Sequence, residues 1–209
     1  MKEPRRHTQQ ETGTHLEKGG PAGSFYTWWR GDPLPRIAPL TGLTAERTDR
    51  YDLVARLADL PLDEVLSRVR SENTPYLVLL DSRPAGYGWS ARGEAEIGGL
   101  LQFQVREGER YLWDFATLPP YRGRGIYQRL LQAILVQESE SAERFWIGHD
   151  APNVVSGRGI RKAGFSRVGD VVSLPDGALS LTPAGSPERA RLAADLLGIP
   201  LLPADEGGA

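Results

Sequence analysis

Alternation between apolar and polar side chains predicts a set of β-strands along the middle of the chain. The clearest strand covers residues 110–118, whose successive side chains point to opposite faces of a sheet. One face carries Tyr111, Trp113, Phe115 and Thr117, and the other carries Leu112, Asp114, Ala116 and Leu118. Apolar runs bounded by turn residues predict further strands at 76–80, 85–91, 98–105, 144–148 and 165–174.

Apolar residues at helical spacing predict five helices between and after these strands. They begin near Asp49 and near Pro61, cover 126–138 and 153–163 (with Gly164 as a stop), and open at 186–188. Because the helix 126–138 connects the strands 110–118 and 144–148, these three elements form a βαβ unit with parallel pairing. The sequence therefore predicts an α/β fold.

The two ends of the chain lack such a regular pattern. Residues 1–24 are polar and aperiodic and predict a disordered extension, with a basic, partner-binding tail as the alternative. Residues 25–40 place aromatic rings before three prolines, which predicts an extended strap packing Phe25, Trp28 and Trp29 onto the body. A lid over a ligand and a dimer contact are the alternatives for this strap. Residues 183–209 predict a C-terminal helix followed by a loose tail.

The composition excludes several kinds of chemistry. The 209 residues have a net charge of −2 and no cysteine, which excludes disulfides, thiolate metal sites and cysteine nucleophiles. His149 is the only histidine outside the polar N-terminal stretch, so we expect no metal site. The balanced charge argues against nucleic acid as a partner. Since the sequence shows no secretory leader and no membrane-spanning apolar run, we expect a cytoplasmic protein without membrane partners.

A glycine-rich segment between a strand and a helix is the strongest candidate for a ligand site. In residues 121–127, Gly123 and Gly125 allow close backbone approach, and the free amides of the following helix attract anions. Arginines at 122, 124 and 129 add positive charge, so a diphosphate is a fitting ligand. The segment matches neither the P-loop pattern nor the dinucleotide fingerprint, and a plain connecting turn remains the alternative.

The surrounding sequence resembles a known family. The stretch FATLPPYRGRGI at 115–126 resembles the coenzyme-A-binding motif of the GNAT superfamily of acetyl-CoA-dependent N-acetyltransferases, and 153–165 resembles that family's second motif. The resemblance covers residues 41–182, which we expect to form the acetyltransferase domain. It implies a mixed central sheet with two splayed parallel strands and helices on both faces.

The resemblance also implies a site for acetyl-CoA as co-substrate. Its pyrophosphate would lie on the amides of Arg122, Gly123, Arg124, Gly125, Ile126 and Tyr127. Its pantetheine arm would pair with the backbone of Ala116, Thr117 and Leu118 and contact Asn153. The chain departs from the family at Tyr127, where a small residue is usual, and at Ile160, where a proton-donating tyrosine is frequent.

Two side chains are candidates for catalysis of the transfer. Asp114 interrupts an apolar strand and either orients or deprotonates the acceptor amine, or forms an ion pair with an arginine or lies on a solvated face of the sheet. His149 follows a predicted parallel strand and is either a general base or a loop histidine bonded to the backbone. His149 is expected near the carboxyl end of that strand, where ligands gather.

The predicted activity is transfer of an acetyl or short acyl group from coenzyme A to a primary amine. The amine attacks directly in a ternary complex, and the acceptor is a small molecule or a peptide. The alternatives are a catalytically degenerate acyl-CoA-binding module and a nucleotide-using α/β protein. The sequence is compatible with a monomer or a homodimer.

Overall fold

A large mixed sheet organises the computed structural model, which describes residues 20–99 and 101–203. Within those residues the sheet has eight strands in the spatial order β10-β9-β1-β8-β7-β4-β3-β2. They are β1 (Pro21–Trp29), β2 (Leu43–Arg47), β3 (Asn73–Leu80), β4 (Arg83–Ala91), β7 (Glu109–Thr117), β8 (Arg144–Asp150), β9 (Ser166–Ser173) and β10 (Leu179–Pro183). A separate hairpin consists of β5 (Glu94–Ile97) and β6 (Leu101–Gln104).

Helices cover both faces of this sheet, as the predicted α/β fold requires. They are α1 (Tyr51–Ala58), α2 (Leu62–Arg70), α3 (Ile126–Glu138), α4 (Val154–Ala163) and α5 (Pro187–Leu197). One face packs against α3 and α4, and the other packs against α1, α2, α5 and the β5–β6 hairpin. No helix in the described part of the chain is long and apolar enough to cross a membrane.

The βαβ unit at the centre of the sheet forms as predicted. The helix α3 has the predicted bounds, and its buried side chains lie on one face that packs against the sheet. The helix α4 is capped by the side chain of Asn153 and ends at Gly164, whose φ of +110° favours glycine. Strand β8 pairs with β7 in parallel, as this connection demands.

The predicted N-terminal strap is wrong for residues 25–29, and the predicted disorder is wrong for residues 20–24. The segment Pro21–Trp29 is instead an inner strand of the sheet, hydrogen-bonded to β8 on one side and β9 on the other. Residues 25 to 28 are all buried, because both faces of this inner strand are covered. Its sequence therefore shows no alternation of apolar and polar side chains. The sheet thus includes residues that precede the predicted domain boundary at residue 41. Residues 1–19 lie outside the described part of the chain.

Three other segments differ from the predicted elements. The predicted strand 98–105 is the second half of a hairpin, whose turn at Gly98 and Gly99 has positive φ values of +59° and +69°. Strands β2 and β10 were not predicted as separate elements. In the predicted C-terminal region, α5 forms, and the amide of Leu202 donates to the carbonyl of Leu181. Residues 204–209 of the predicted tail lie outside the described residues.

A buried ion pair joins the end of α3 to the start of β7. The carboxylate of Glu138 accepts hydrogen bonds from Nε of Arg110 and, at 2.9 Å, from the hydroxyl of Tyr76. Glu138 and Arg110 are only 6% and 4% exposed. The neighbouring Glu109, also buried, accepts from Arg144 at 2.8 Å and from the indole of Trp146 at 3.0 Å. These buried ion pairs and hydrogen bonds hold together the end of the β7–β8 pairing that lies away from the glycine-rich loop.

Candidate active site

A cleft opens where the two parallel strands diverge. Strands β7 and β8 pair only over Glu109–Leu112 and Arg144–Ile147. Beyond these residues the strands separate, and a cleft of about 1230 Å³ lies between and around them. The facing edges of β7 and β8 therefore offer backbone groups that are not used in the sheet ladder. This divergence confirms the splayed strands that the resemblance implied.

A bulge in β7 accompanies the divergence. Asp114 has a φ of +48°, and the register with β4 shifts between the pairs Trp89–Trp113 and Tyr87–Ala116. The extra residue reverses the alternation beyond it, so Phe115 faces α3 rather than lying with Trp113. The predicted face of Phe115 is therefore wrong, because strict alternation holds only in an unbroken ladder.

The side chain of Asp114 anchors this bulge to α2. Its Oδ2 accepts a hydrogen bond from Nη1 of Arg68 at 2.5 Å. The Arg68 guanidinium lies 4.6 Å from the centre of the Trp113 ring, in cation–π geometry. Burial and the negative charge of Asp114 raise the pKa of Tyr87 to about 12. The ion-pair alternative for Asp114 is thus present in the structure, and Asp114 also lines the cleft.

The glycine-rich loop presents a row of free amides to the cleft. Within the described residues, the backbone N–H groups from Gly123 to Gln128 donate to no protein acceptor. Gly123 and Gly125 have φ values of +77° and +67°, and Gly125 is the N-terminal cap of α3. These left-handed residues turn successive amides in one direction, and the positive end of the helix dipole adds to them. The loop is therefore built to hold an anion.

The loop arginines divide into two roles. Arg129 donates to the carbonyls of Ala38 and Gly125 at 2.5 and 2.8 Å, so its guanidinium holds the loop together. Arg122 donates through Nε to the carbonyl of Thr117 at 3.1 Å. Arg124 makes no side-chain hydrogen bond within the described residues and lines the cleft. Further cations on α4 line the same end of the cleft: Arg158 and Lys162.

Tyr127 extends from the first turn of α3 to α4. Its ring contacts Phe115 edge-on, with ring centres 5.5 Å apart, and its hydroxyl lies 3.1 Å from Oγ of Ser156. Gly159 makes room for it, since a Cβ there would lie 2.6 Å from the ring. Burial raises the pKa of Tyr127 to about 12, so the hydroxyl keeps its proton at neutral pH. The large ring at this position therefore has its own pocket beside the cleft.

His149 is held by hydrogen bonds at both ring nitrogens. Nδ1 lies 2.9 Å from the carbonyl of Asp150, which fixes Nδ1 as the donor. Nε2 lies 3.2 Å from the hydroxyl of Tyr26, to which Arg161 also donates at 3.2 Å. His149 lines the cleft, but this geometry favours the alternative of a loop histidine bonded to the backbone.

The remaining predicted site residues are placed as follows. Ala116, Thr117, Asn153 and the loop residues from Arg122 to Tyr127 all line the cleft. Oδ1 of Asn153 accepts from the amide of Ser156 at 3.1 Å, which is its capping role. Leu118 does not line the cleft, and its amide donates instead to the carbonyl of Ala85 at 2.9 Å. The contact of Leu118 with the cofactor therefore stays a prediction that the cleft lining does not support.

Sequence reasoning missed many of the residues that line the cleft, Tyr111 and Asp150 among them. Tyr111 lines the cleft from the face opposite α3, and Asp150 lines it at the end of β8. The position of Asp150 after an apolar strand was a usable signal for a ligand-binding edge. Tyr111 gave no such signal, because an aromatic residue in a strand usually indicates a core position.

The fold agrees with comparisons against known proteins. Residues 42–165 match the model of the acetyltransferase (GNAT) family. The match covers more than half of the chain, and the protein belongs to this family. A search of curated protein sequences gives no match.

Solved structures add a fold-level likeness. A GCN5-related N-acetyltransferase from Sphaerobacter thermophilus aligns with a TM-score of 0.55 and 18% identity, over 76% of this chain and 52% of that one. A GCN5-related N-acetyltransferase from Kribbella flavida aligns with a TM-score of 0.49 and 16% identity, over 69% of this chain and 54% of that one. An aminoglycoside acetyltransferase in complex with coenzyme A and kanamycin aligns with a TM-score of 0.48 and 21% identity, over 65% of this chain and 90% of that one. The chain thus spans about half the length of the first two structures, and the first shares its fold.

Proposed function

We propose that this protein transfers an acetyl or short acyl group from coenzyme A to a primary amine. The observation that carries the proposal is the row of free amides from Gly123 to Gln128 at one end of a cleft between splayed strands. The amides and the cations around them fit a pyrophosphate, and the free edge of β7 fits an extended pantetheine arm. A thioester at the bulge would meet backbone donors suited to a developing oxyanion.

A calorimetric titration with acetyl-CoA tests the cofactor directly. We expect micromolar binding of acetyl-CoA and none of ATP at the same concentration, because the loop has no P-loop pattern for a nucleoside triphosphate. Binding of ATP but not of acetyl-CoA would favour a nucleotide-using protein. Absence of binding to either would remove both the enzyme and the sensor as functions.

A catalytically silent acyl-CoA-binding module is the second candidate. The observation that favours it is the fully buried Ile160 in α4, where the resemblance places a proton-donating tyrosine. Turnover separates the two candidates, since a sensor binds acetyl-CoA and forms no product with any amine. We favour the enzyme because two residues that can take part in proton transfer, Tyr127 and Asp114, are among those that line the cleft.

Replacement of the two predicted catalytic residues tests their roles. At saturating acetyl-CoA we expect Asp114→Asn to lower kcat by about a hundredfold, the usual contribution of a general base. We expect a smaller loss for His149→Ala, because both of its ring nitrogens already have protein partners. The control is Asp63→Asn, which changes an exposed aspartate of α2 outside the cleft, and the steady-state kinetics of the two variants are compared with those of this control. If neither variant loses turnover, neither residue is catalytic.

A further inference from the structure

The cleft extends to the face of the sheet that α5 and the β5–β6 hairpin cover, and we call this part of the cleft its second mouth. There it is lined by residues of the hairpin, β1, β9 and β10 as well as by Tyr111 and Asp150. We propose that this mouth is the acceptor site and that it binds a primary amine carried on an apolar body, in the form of its ammonium ion. The ammonium ion loses one proton to water, the nitrogen forms a bond to the acyl carbon, and the C–S bond breaks so that coenzyme A leaves as a thiol with the second proton of the amine. The proposal rests on the acyl transfer proposed above and names its substrate class.

Tyr111 lines this mouth, and its ring is held rigidly in place. Tyr111 is only 5% exposed, and its ring is held by Phe25, with stacked ring centres 6.3 Å apart, and by Phe103, edge-on at 5.1 Å. Among the described residues its hydroxyl makes no hydrogen bond. This hydroxyl is therefore available to a polar group of a bound ligand.

Asp150 supplies a negative charge next to this hydroxyl. It ends β8 opposite Gly23 of β1, and its charge adds to burial in raising the pKa of Tyr111. Within the described residues Asp150 forms no ion pair, and neither does Glu96 on the hairpin. Both carboxylates line the cleft, so two anions are available there to a cationic ligand.

The charges of the cleft are divided between its two ends. Its cations all lie on the glycine-rich loop, α3 and α4, on the other face of the sheet. The third carboxylate of the cleft, Asp114, is already paired with Arg68. Electrostatics therefore place a phosphate-bearing donor at one end and an ammonium group at the other, where a carboxylate on the acceptor would be repelled.

The walls of this mouth are mainly apolar. They are formed by Phe25, Ile97, Leu101, Val171 and Leu179. Side chains of this kind contribute binding through burial of apolar surface. The apolar body of an arylalkyl or alkyl amine fits these walls, while its ammonium group meets the carboxylates of the same mouth.

Four amines of matched structure test this substrate class in steady-state acetylation assays. They are 2-phenylethylamine, L-phenylalaninamide, L-phenylalanine and ethanolamine. We expect kcat/KM for 2-phenylethylamine to exceed that for ethanolamine at least about tenfold, from burial of the ring. We expect L-phenylalaninamide to exceed L-phenylalanine at least about tenfold, since only the latter carries a carboxylate.

Variants assign this selectivity to the proposed residues. Asp150→Asn is expected to raise KM for 2-phenylethylamine about tenfold or more and to weaken the discrimination against L-phenylalanine. Tyr111→Phe keeps the ring and is expected to raise the same KM. The control is Glu94→Gln, which removes an exposed carboxylate from the same hairpin strand as Glu96 but outside the cleft. All variants should retain the affinity for acetyl-CoA, which a general loss of structure would not spare.

The outcomes separate this inference from the proposed function. Calorimetric binding of 2-phenylethylamine to the protein saturated with coenzyme A, lost in Asp150→Asn, supports the site even if no product forms. In that case acyl transfer fails and the amine site stands. If ethanolamine and L-phenylalanine are acetylated as well as 2-phenylethylamine, or if Asp150→Asn changes neither KM nor discrimination, the inference is overturned while acyl transfer stands. Absence of both binding and turnover overturns the inference as well.

Discussion

Gly123→Val is expected to reduce the affinity for coenzyme A by about thirtyfold or more while the fold stays intact. The glycine has a φ of +77°, and a Cβ built on it would meet no atom within 4 Å. The effect therefore comes from the backbone and not from a clash, because a β-branched residue in the left-handed region is strained by about 1–3 kcal/mol. Relief of that strain turns the loop amides away from the anion, and each lost charged hydrogen bond adds to the loss.

A glycine elsewhere provides the matched control for this experiment. Gly108, in the turn before β7, has a φ of +74° and equally open surroundings, but it does not line the cleft. Gly108→Val should lose similar stability and keep its affinity for coenzyme A in calorimetric titrations. A folded Gly123→Val protein that binds as tightly as the parent would refute the assignment of the loop to the pyrophosphate.

Glu138→Leu is expected to lower the free energy of unfolding by about 3–5 kcal/mol. The carboxylate is buried and is the shared partner of the Arg110 guanidinium and the Tyr76 hydroxyl. Its removal leaves a buried positive charge without its counterion, which costs far more than the loss of one surface pair. Denaturant unfolding of the full chain measures the change.

Two further variants establish the cause of that loss. Glu140→Leu changes an exposed glutamate two residues away and should alter stability by less than about 0.5 kcal/mol. Adding Arg110→Met to Glu138→Leu removes the unpaired charge and should restore a large part of the lost stability. A double variant as unstable as the single one would show that packing, and not the unpaired charge, dominates.

The elements with one buried face were predictable from the sequence, because their patterns are unambiguous. The helix α3 shows an apolar stripe at helical spacing and a glycine at its start, and its bounds agree with the structure. Strand β1 was missed because its buried run, Phe25–Trp28, lies between a polar stretch and a proline-rich one. A strand that is buried on both faces shows no alternation of apolar and polar residues. The strand β1 can therefore be recognised from its pairing with β8 and β9 but not from its own sequence pattern.

The candidate site was predictable where it depends on backbone chemistry and not where it depends on tertiary geometry. The loop glycines and the two motifs indicated the anion-binding end. The bulge at Asp114 was hidden, because a strand pattern in sequence does not show where one residue becomes surplus to the ladder. The second mouth depends on Tyr111 and Asp150, which lie on different strands, one within the paired part of β7 and β8 and the other beyond it.

The position of β1 has a consequence for the order in which the protein assembles during synthesis. This strand leaves the ribosome before its neighbours β8 and β9, which are encoded far downstream; Ser24, for example, bonds to Asp170, 146 positions later. Pairings at such separations form late, since the loop they close must first be ordered. The cleft wall that carries Asp150 is therefore among the last parts of the sheet to be completed, after the glycine-rich loop has been synthesised.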